Sequence, residues 1–148
     1  MICDKDTVIP MRATLGSCGY DFRCPHDVDL VPGEWTMIDT GVSFDGTEVV
    51  TGDLLRNGEP VPIQKWFMIL TPRSGLGVKY GFRLRNTVGV IDQSYRDPIL
   101  ATVTVEKPLS LKKGDRFMQG IILPYLIFQD EVAPTKERKG GHGSTGLQ

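Results

Sequence analysis

Short apolar or alternating segments, each bounded by turn residues, dominate the chain. Such segments favour β-strands, because alternation places every second side chain on the same face of a sheet. The predicted strands cover residues 35–44, 65–70, 99–105, 116–123 and 126–132. No window of about eleven or more residues keeps a helical period without a Gly or Pro, so the one predicted helix is a turn or two at 74–80. This pattern predicts an all-β sandwich, jelly roll or barrel.

Two stretches differ from the predicted core. Residues 45–64 hold Asn57-Gly58 between short apolar groups, which is typical of a protruding hairpin or a long loop. A plain surface hairpin and a partner-binding element are both open interpretations of this stretch. Residues 133–148 lack an apolar period and are rich in Gly, which predicts a flexible C-terminal arm. We therefore expect a β domain at 1–132 followed by an arm at 133–148.

Composition narrows the class of protein further. The 148 residues suit one domain, and 17 glycines and 10 prolines, above the ~12% usual for globular chains, argue against a helix bundle. The net charge of -1 argues against non-specific binding to nucleic acid or to a membrane surface. No apolar run approaches the ~20 residues of a membrane span, and the N-terminus is charged where a signal peptide is apolar. These features, with three cysteines that suit reduced thiols, predict a cytoplasmic protein, or one of the host-cell cytoplasm if the source is viral.

Two segments carry candidate chemistry in the middle of the chain. The segment 72–76 (PRSGL) places Arg, Ser and Gly where a strand ends, which fits a small anion site or, equally simply, a polar turn. The segment 89–96 (GVIDQSYR) places Asp92 three residues before Tyr95. That spacing fits a general base beside a stacking ring, or a hairpin turn in which the aspartate caps its own backbone.

Further candidates lie toward the two ends. Asp21 follows a turn of small residues and suits either a hydrated divalent ion or a turn. Arg116 and Gln119 suit a phosphate site or a turn into a strand. The Gly-rich segment 139–146 (KGGHGSTG) has the composition of a phosphate-binding nest or of a linker, without the residue order of a Walker loop.

Two other kinds of chemistry are disfavoured. Cys18, Cys24 and His26 lack a fourth zinc ligand and the usual spacing of zinc-binding cysteines. A cysteine nucleophile needs a partner histidine, and nothing in the sequence places His26 or His142 beside a cysteine.

In their order along the chain, these segments resemble the five motifs of the homotrimeric dUTPase family. The matching segments are GYD at 19–21, PRSGLGVKYG at 72–81, NTVGVIDQSYR at 86–96, GDRFMQ at 114–119 and GGHGSTG at 140–146. That family hydrolyses dUTP to dUMP and pyrophosphate, which lowers dUTP and supplies dUMP for dTMP synthesis. The resemblance implies an all-β, jelly-roll-like β-barrel with one short helix. It also implies a homotrimer in which each active site draws motifs from all three chains.

The resemblance also implies roles for single residues. Asp92 orients and deprotonates the water that attacks the α-phosphorus, and Asp21 holds a water of the Mg²⁺ that chelates the triphosphate. The remaining residues are substrate-binding. Those for the phosphates are Arg73, Ser74, Gly75, Arg116 and Gln119; those for uracil and deoxyribose are Asn86, Gly89, Val90, Ile91 and Tyr95; those of the arm, which closes as a lid, are Arg138, His142, Gly143 and Ser144.

The sequence departs from the family pattern in the arm. His142 stands where the family usually has the Phe that stacks on uracil, which predicts a Michaelis constant that rises above about pH 6.5. The spacing from Arg138 to His142 is one residue short, so Arg138 and Lys139 both stay candidates for the γ-phosphate. Two alternatives on the same scaffold are a dCTP deaminase, which needs a catalytic Glu, and a non-catalytic binding or regulatory protein; a partner role of 45–64 would be additional to either activity.

Overall fold

A computed structural model describes residues 1–44, 49–56, 59–63 and 65–135. Within these ranges the chain forms fourteen strands and one helix. The strands are β1 (Ile2–Cys3), β2 (Met11–Arg12), β3 (Gly19–Arg23), β4 (Val28–Leu30), β5 (Thr36–Asp39), β6 (Val42–Ser43), β7 (Val50–Arg56), β8 (Glu59–Pro62), β9 (Trp66–Pro72), β10 (Arg83–Leu84), β11 (Gly89–Asp92), β12 (Leu100–Thr104), β13 (Leu109–Leu111) and β14 (Arg116–Pro124). The helix α1 is Ser74–Tyr80.

The strands form five antiparallel sheets. The largest has the order β11-β9-β14-β3-β2, and a second has the order β10-β12-β5. Three two-stranded sheets join β1 to β6, β4 to β13 and β7 to β8. The pairing of β7 with β8 lies inside 45–64, with Arg56 opposite Glu59. A mostly β architecture with one helix confirms the predicted jelly-roll-like fold, although the described strands form several sheets and not one closed barrel.

One hydrophobic core lies between the sheets. Alternate residues of β9, starting with Trp66 and Met68, are buried, as expected for a strand with one face on a core. Two edge-to-face aromatic pairs contribute to it: Phe44 with Trp66 at 6.1 Å between ring centroids, and Phe82 with Phe117 at 6.4 Å. Such pairs stabilise a core by about 0.5–1.5 kcal/mol beyond the area they bury.

Helix α1 agrees with the predicted helical turns at 74–80. It begins directly after β9 ends and stops at Gly81, whose φ of 63° is left-handed and whose N–H donates to the carbonyl of Gly77 at 2.9 Å. Glycine is required at this position for a second reason, because a Cβ there would lie 2.6 Å from Cδ of Glu106. The helix therefore has a fixed start, next to the last residue of β9, and a fixed end at Gly81.

Two strand predictions were wrong in part or in full. The predicted strand 35–44 is interrupted after β5, where Gly41 has a φ of 65° and its N–H donates to Oδ1 of Asp39 at 2.9 Å. The predicted strand 126–132 does not form. Leu126, Phe128 and Val132 are instead 96%, 84% and 92% exposed. An apolar pattern becomes a strand only if another strand lies alongside, and β14 has already ended at Pro124. No helix within the described ranges is long and apolar enough to cross a membrane.

Candidate active site

Six of the predicted site residues line one cavity of about 790 Å³, here called the arginine cavity. It lies where β9 passes into α1, against β3 and β14. The six residues are Asp21, Arg73, Ser74, Gly75, Arg116 and Gln119. They come from three separate motifs of the sequence, so the fold brings together segments that the chain keeps far apart.

Strand register explains this convergence. Gln119 on β14 lies opposite Asp21 on one side and Thr71 of β9 on the other. Two residues after Thr71, the backbone N–H of Arg73 donates to the carbonyl of Phe117 at 3.2 Å. The end of β9 and the start of α1 are thereby held against the two strands that carry Asp21 and Arg116.

Asp21 links the two arginines of this cavity. Its Oδ1 lies 3.1 Å from Nε of Arg73, and its Oδ2 lies 3.0 Å from Nη1 of Arg116. The carboxylate is buried, with 7% of the residue exposed, whereas the two arginine side chains are 34% and 38% exposed. A guanidinium carries five N–H donors, so each arginine is fixed through part of its donor set while part of its surface faces solvent.

Two glycines shape the wall of the arginine cavity. A Cβ on Gly19 would collide with Oε1 of Gln119 and lie 3.2 Å from its Cδ, so Gly19 leaves the room that the amide side chain occupies. A Cβ on Gly75 would meet nothing within 4 Å among the described residues. Glycine at 75 therefore keeps open a space, beside the first turn of α1, that none of the described residues fills.

A second cavity, here called the apolar cavity, has a volume of about 430 Å³. It contains the five residues predicted to bind uracil and deoxyribose: Asn86, Gly89, Val90, Ile91 and Tyr95. Tyr95 is buried, and its hydroxyl donates to the carbonyl of Pro98 at 3.0 Å. A Cβ on Gly89 would lie 3.0 Å from Cβ of Leu70, so glycine is what lets β11 approach β9 here.

Asp92 lines neither of these cavities. It ends β11 opposite Phe67 and borders a third cavity of about 580 Å³, together with Gln93 and Arg96. In the sheet, Asp92 and Asp21 are three strand spacings and four residue positions apart, which places their Cα atoms about 20 Å from each other. Within a single chain, the predicted base therefore lies far from the arginine cavity.

The predicted residues of the arm, Arg138, His142, Gly143 and Ser144, lie outside the described residues. Lys79 and Ser17 also line the arginine cavity and were not predicted. Lys79 is four residues after Gly75 on α1, and this spacing puts both on one helix face, so the helix period offered a signal. Ser17 lies in a turn, where its N–H donates to the carbonyl of Thr14 at 3.1 Å, and no pattern distinguished it from other turn serines.

Outside these cavities, two side chains in the connection between β3 and β4, Cys24 and Asp27, have shifted pKa values. The pKa of Asp27 is lowered, first by the backbone N–H of Lys113 and then by the ammonium of Lys112 at 2.9 Å. The pKa of the Cys24 thiol is raised, mainly by burial.

Within the described ranges, no group of three or more His, Cys, Asp or Glu side chains could hold a metal ion. Any metal bound at the arginine cavity would thus be held largely by water and by a ligand.

Comparisons with known proteins agree with the fold and identify the family. The dUTPase family pattern matches residues 59–146. Deoxyuridine 5'-triphosphate nucleotidohydrolase of Cutibacterium acnes is 33% identical over 146 residues, covering 94% of this chain and 86% of the relative. The dUTPase of Streptococcus mutans is similar in structure, with a TM-score of 0.64 at 24% identity over 86% of this chain and 93% of that one. A dUTPase of Staphylococcus bacteriophage 80alpha, solved with dUpNHpp, has a TM-score of 0.66 at 18% identity over 95% and 96%. The chain belongs to the dUTPase family.

Proposed function

We propose that this chain hydrolyses dUTP to dUMP and pyrophosphate, at sites that form between chains of a homotrimer. The observation that carries the proposal is the convergence of Asp21, Arg73 and Arg116 with three other motif residues in the arginine cavity. Membership of the dUTPase family supports the same substrate.

The arginine cavity is suited to a triphosphate. Arg73, Lys79 and Arg116 bring three cations to its wall, and Gly75 leaves space for the close approach of a phosphate. Because Asp21 holds both arginines before any ligand arrives, the guanidinium groups are positioned in advance, and less side-chain entropy is lost on binding. Ser74 and Gln119 add polar contacts at the same wall.

Mg²⁺ fits this cavity as a hydrated ion. Both oxygens of Asp21 already accept from arginine, so the carboxylate is suited to hold a water of the ion and not the ion itself. When bound, Mg²⁺ supplies charge neutralisation for the phosphates. Asp21 would orient such a water, while Arg73 and Arg116 bind phosphate oxygens.

The apolar cavity is suited to the pyrimidine and the sugar. Its lining includes Gly89, Val90 and Ile91 of β11 and the buried Tyr95. Backbone groups of β11 would offer fixed donors and acceptors that distinguish uracil from cytosine, and a pocket too narrow for a 5-methyl group would reject thymine. Tyr95 would pack against deoxyribose and leave no room for a ribose hydroxyl.

Asp92 would act as the general base, and its position is the reason for invoking more than one chain. The base must contact the attacking water directly, over about 3 Å, whereas Asp92 and Asp21 of one chain are about 20 Å apart. A site that combines the arginine cavity of one chain with Asp92 of another removes this separation. The exposed apolar residues Leu126, Phe128 and Val132 support an association of chains, because neighbouring exposed apolar side chains are typical of an interface.

The arm at 133–148 would close the site as a lid once the nucleotide is bound, contributing Arg138, His142, Gly143 and Ser144. This role rests on the sequence. Removal of residues 139–148 should therefore reduce turnover severely while leaving the stability of the trimer unchanged.

Neither alternative function is favoured by a specific observation. The described residues that line the apolar cavity include no glutamate, which is the catalytic residue that a dCTP deaminase needs. A purely regulatory protein would have no use for the paired arginines and Asp92 together.

The test is pyrophosphate release from dUTP, dCTP, dTTP and UTP, each with Mg²⁺ and with a chelator. Release from dUTP alone, abolished by chelation, is the expected result and would support the base, sugar and metal assignments together. Equal release from UTP would contradict the role of Tyr95. No release from any nucleotide would overturn the proposed function.

A further inference from the structure

We propose that Trp35 and Arg85 form a clamp that positions the turn at the mouth of the apolar cavity, which makes Arg85 a positioning residue for nucleotide binding. The inference rests on the proposed function, since it assigns this cavity to the pyrimidine and sugar. The Cζ atom of Arg85 lies 5.4 Å from the centroid of the Trp35 ring, within the range of a cation–π interaction.

The clamp spans a whole sheet. Trp35 directly precedes β5 and Arg85 directly follows β10, which are the two outer strands of the sheet β10-β12-β5. Arg85 is also tied to the central strand, because its backbone N–H donates to the carbonyl of Thr102 at 2.9 Å. Both side chains therefore reach across β12 and meet on the same face.

Arg85 connects this contact to the apolar cavity. It lines the cavity and is followed at once by Asn86, whereas Trp35 does not line it. Trp35 is 43% exposed, which is high for an indole that serves only to fill a core. The contact thus ties a residue of the cavity lining to an indole that lies outside the lining.

The turn that follows Arg85 needs such a restraint. Thr87 has a φ of 64°, a left-handed conformation that is unfavourable for a β-branched residue. The turn is closed by the N–H of Thr87, which donates to the carbonyl of Leu84 at 3.0 Å, and by the N–H of Val88, which donates to that of Asn86 at 2.6 Å. A strained turn persists only where its surroundings fix it, and the Arg85 clamp is one of its fixed points.

Loss of the clamp should therefore weaken nucleotide binding without slowing the chemical step. Asn86 would no longer be held at the cavity wall, whereas Asp92 borders a different cavity and would be unaffected. The expected signature is an increase in KM for dUTP at an unchanged kcat.

The experiment compares Trp35→Leu, Arg85→Met and the double variant with wild type in steady-state hydrolysis of dUTP. Each single variant should raise KM about two- to fivefold, and the double variant should raise it no further, because the same interaction is lost in all three. Arg83→Met is the matched control: Arg83 lies two residues earlier on the same strand face and pairs with Glu106 at 3.4 Å. Its KM should equal that of wild type.

Conservative variants separate positioning from folding. Trp35→Phe and Arg85→Lys keep an aromatic face or a cation, so each should retain a KM between wild type and the matching truncation. Single variants whose KM equals that of Arg83→Met, additive effects in the double variant, or a fall in kcat as large as the rise in KM would each overturn the clamp. Wild-type protein without activity on dUTP would overturn the proposed function, and the clamp's role with it.

Discussion

Asp21 and Asp92 lie on strands β3 and β11 of the same sheet, with β14 and β9 between them. Their Cα atoms are about 20 Å apart, and the two side chains border different cavities. If both carboxylates act on one triphosphate, they must come from different chains. Under the proposed function, oligomerisation would therefore be part of the chemistry and not only of the stability of the protein.

Asp92→Asn should leave dUTP binding nearly intact and lower kcat by about 10²–10⁴-fold, because it removes the base while it preserves the shape of the side chain. Calorimetric binding of dUTP and release of pyrophosphate, measured on the same preparation, check both parts. Full turnover in this variant would show that Asp92 is not the base.

Asp21→Ala should lower the free energy of unfolding by about 1–3 kcal/mol, because two arginines lose a buried counter-charge. The expected loss is smaller than for a fully buried pair, since both arginines are about one third exposed. Urea denaturation measures it, with the exposed Asp130→Ala as the control. Equal stability of the two variants would mean that the paired arginines do not depend on Asp21.

Gly19→Ala should raise KM for dUTP with little loss of stability. The new methyl group would take the space of the Gln119 amide, and that flexible side chain can move away at small cost to the fold but leaves the arginine cavity. Gly16→Ala is a matched control, because a Cβ there meets nothing within 4 Å among the described residues. The two variants should differ in KM and agree in thermal midpoint; a Gly19→Ala enzyme with wild-type KM would contradict a role for Gln119.

The strands and the helix at the centre of the fold were predictable because their signals are local. Pro72 and Gly81 bound α1 in the sequence as they do in the structure, and the buried alternation of β9 is visible in its residues. Residues 126–132 show the limit of this reasoning. Their apolar pattern resembles that of a strand, but whether a strand forms depends on a partner that the pattern does not specify.

The candidate site was predictable as a set of residues but not as a geometry. The motifs named Asp21, Arg73 and Arg116. Strand register, which no local pattern fixes, brings both arginines within 3.1 Å of the Asp21 carboxylate. The contact of Trp35 with Arg85 is likewise invisible in the sequence, since it crosses a sheet between distant segments.

Asp27 should stabilise the fold at neutral pH and lose that effect in acid. Its pKa is lowered in the folded state, by the N–H of Lys113 and then by Lys112, so its contribution is present above the ordinary aspartate pKa of about 3.9 and disappears as the pH falls through the lowered value. Thermal midpoints of wild type and Asp27→Asn should therefore differ at pH 7 and converge in strong acid. A difference that does not depend on pH would contradict this assignment.

The most direct test of shared sites is complementation between two inactive variants. Asp92→Asn and Arg73→Ala should each be nearly inactive alone. After the two are unfolded together in equal amounts and refolded, a site that takes Asp92 from one chain and Arg73 from another is intact in about one quarter of cases, so about one quarter of wild-type activity should return. The same variants refolded separately and then mixed serve as the control. A co-refolded mixture that forms trimers but is no more active than its components would show that each site uses Asp92 and Arg73 of a single chain, and would contradict the proposed assembly.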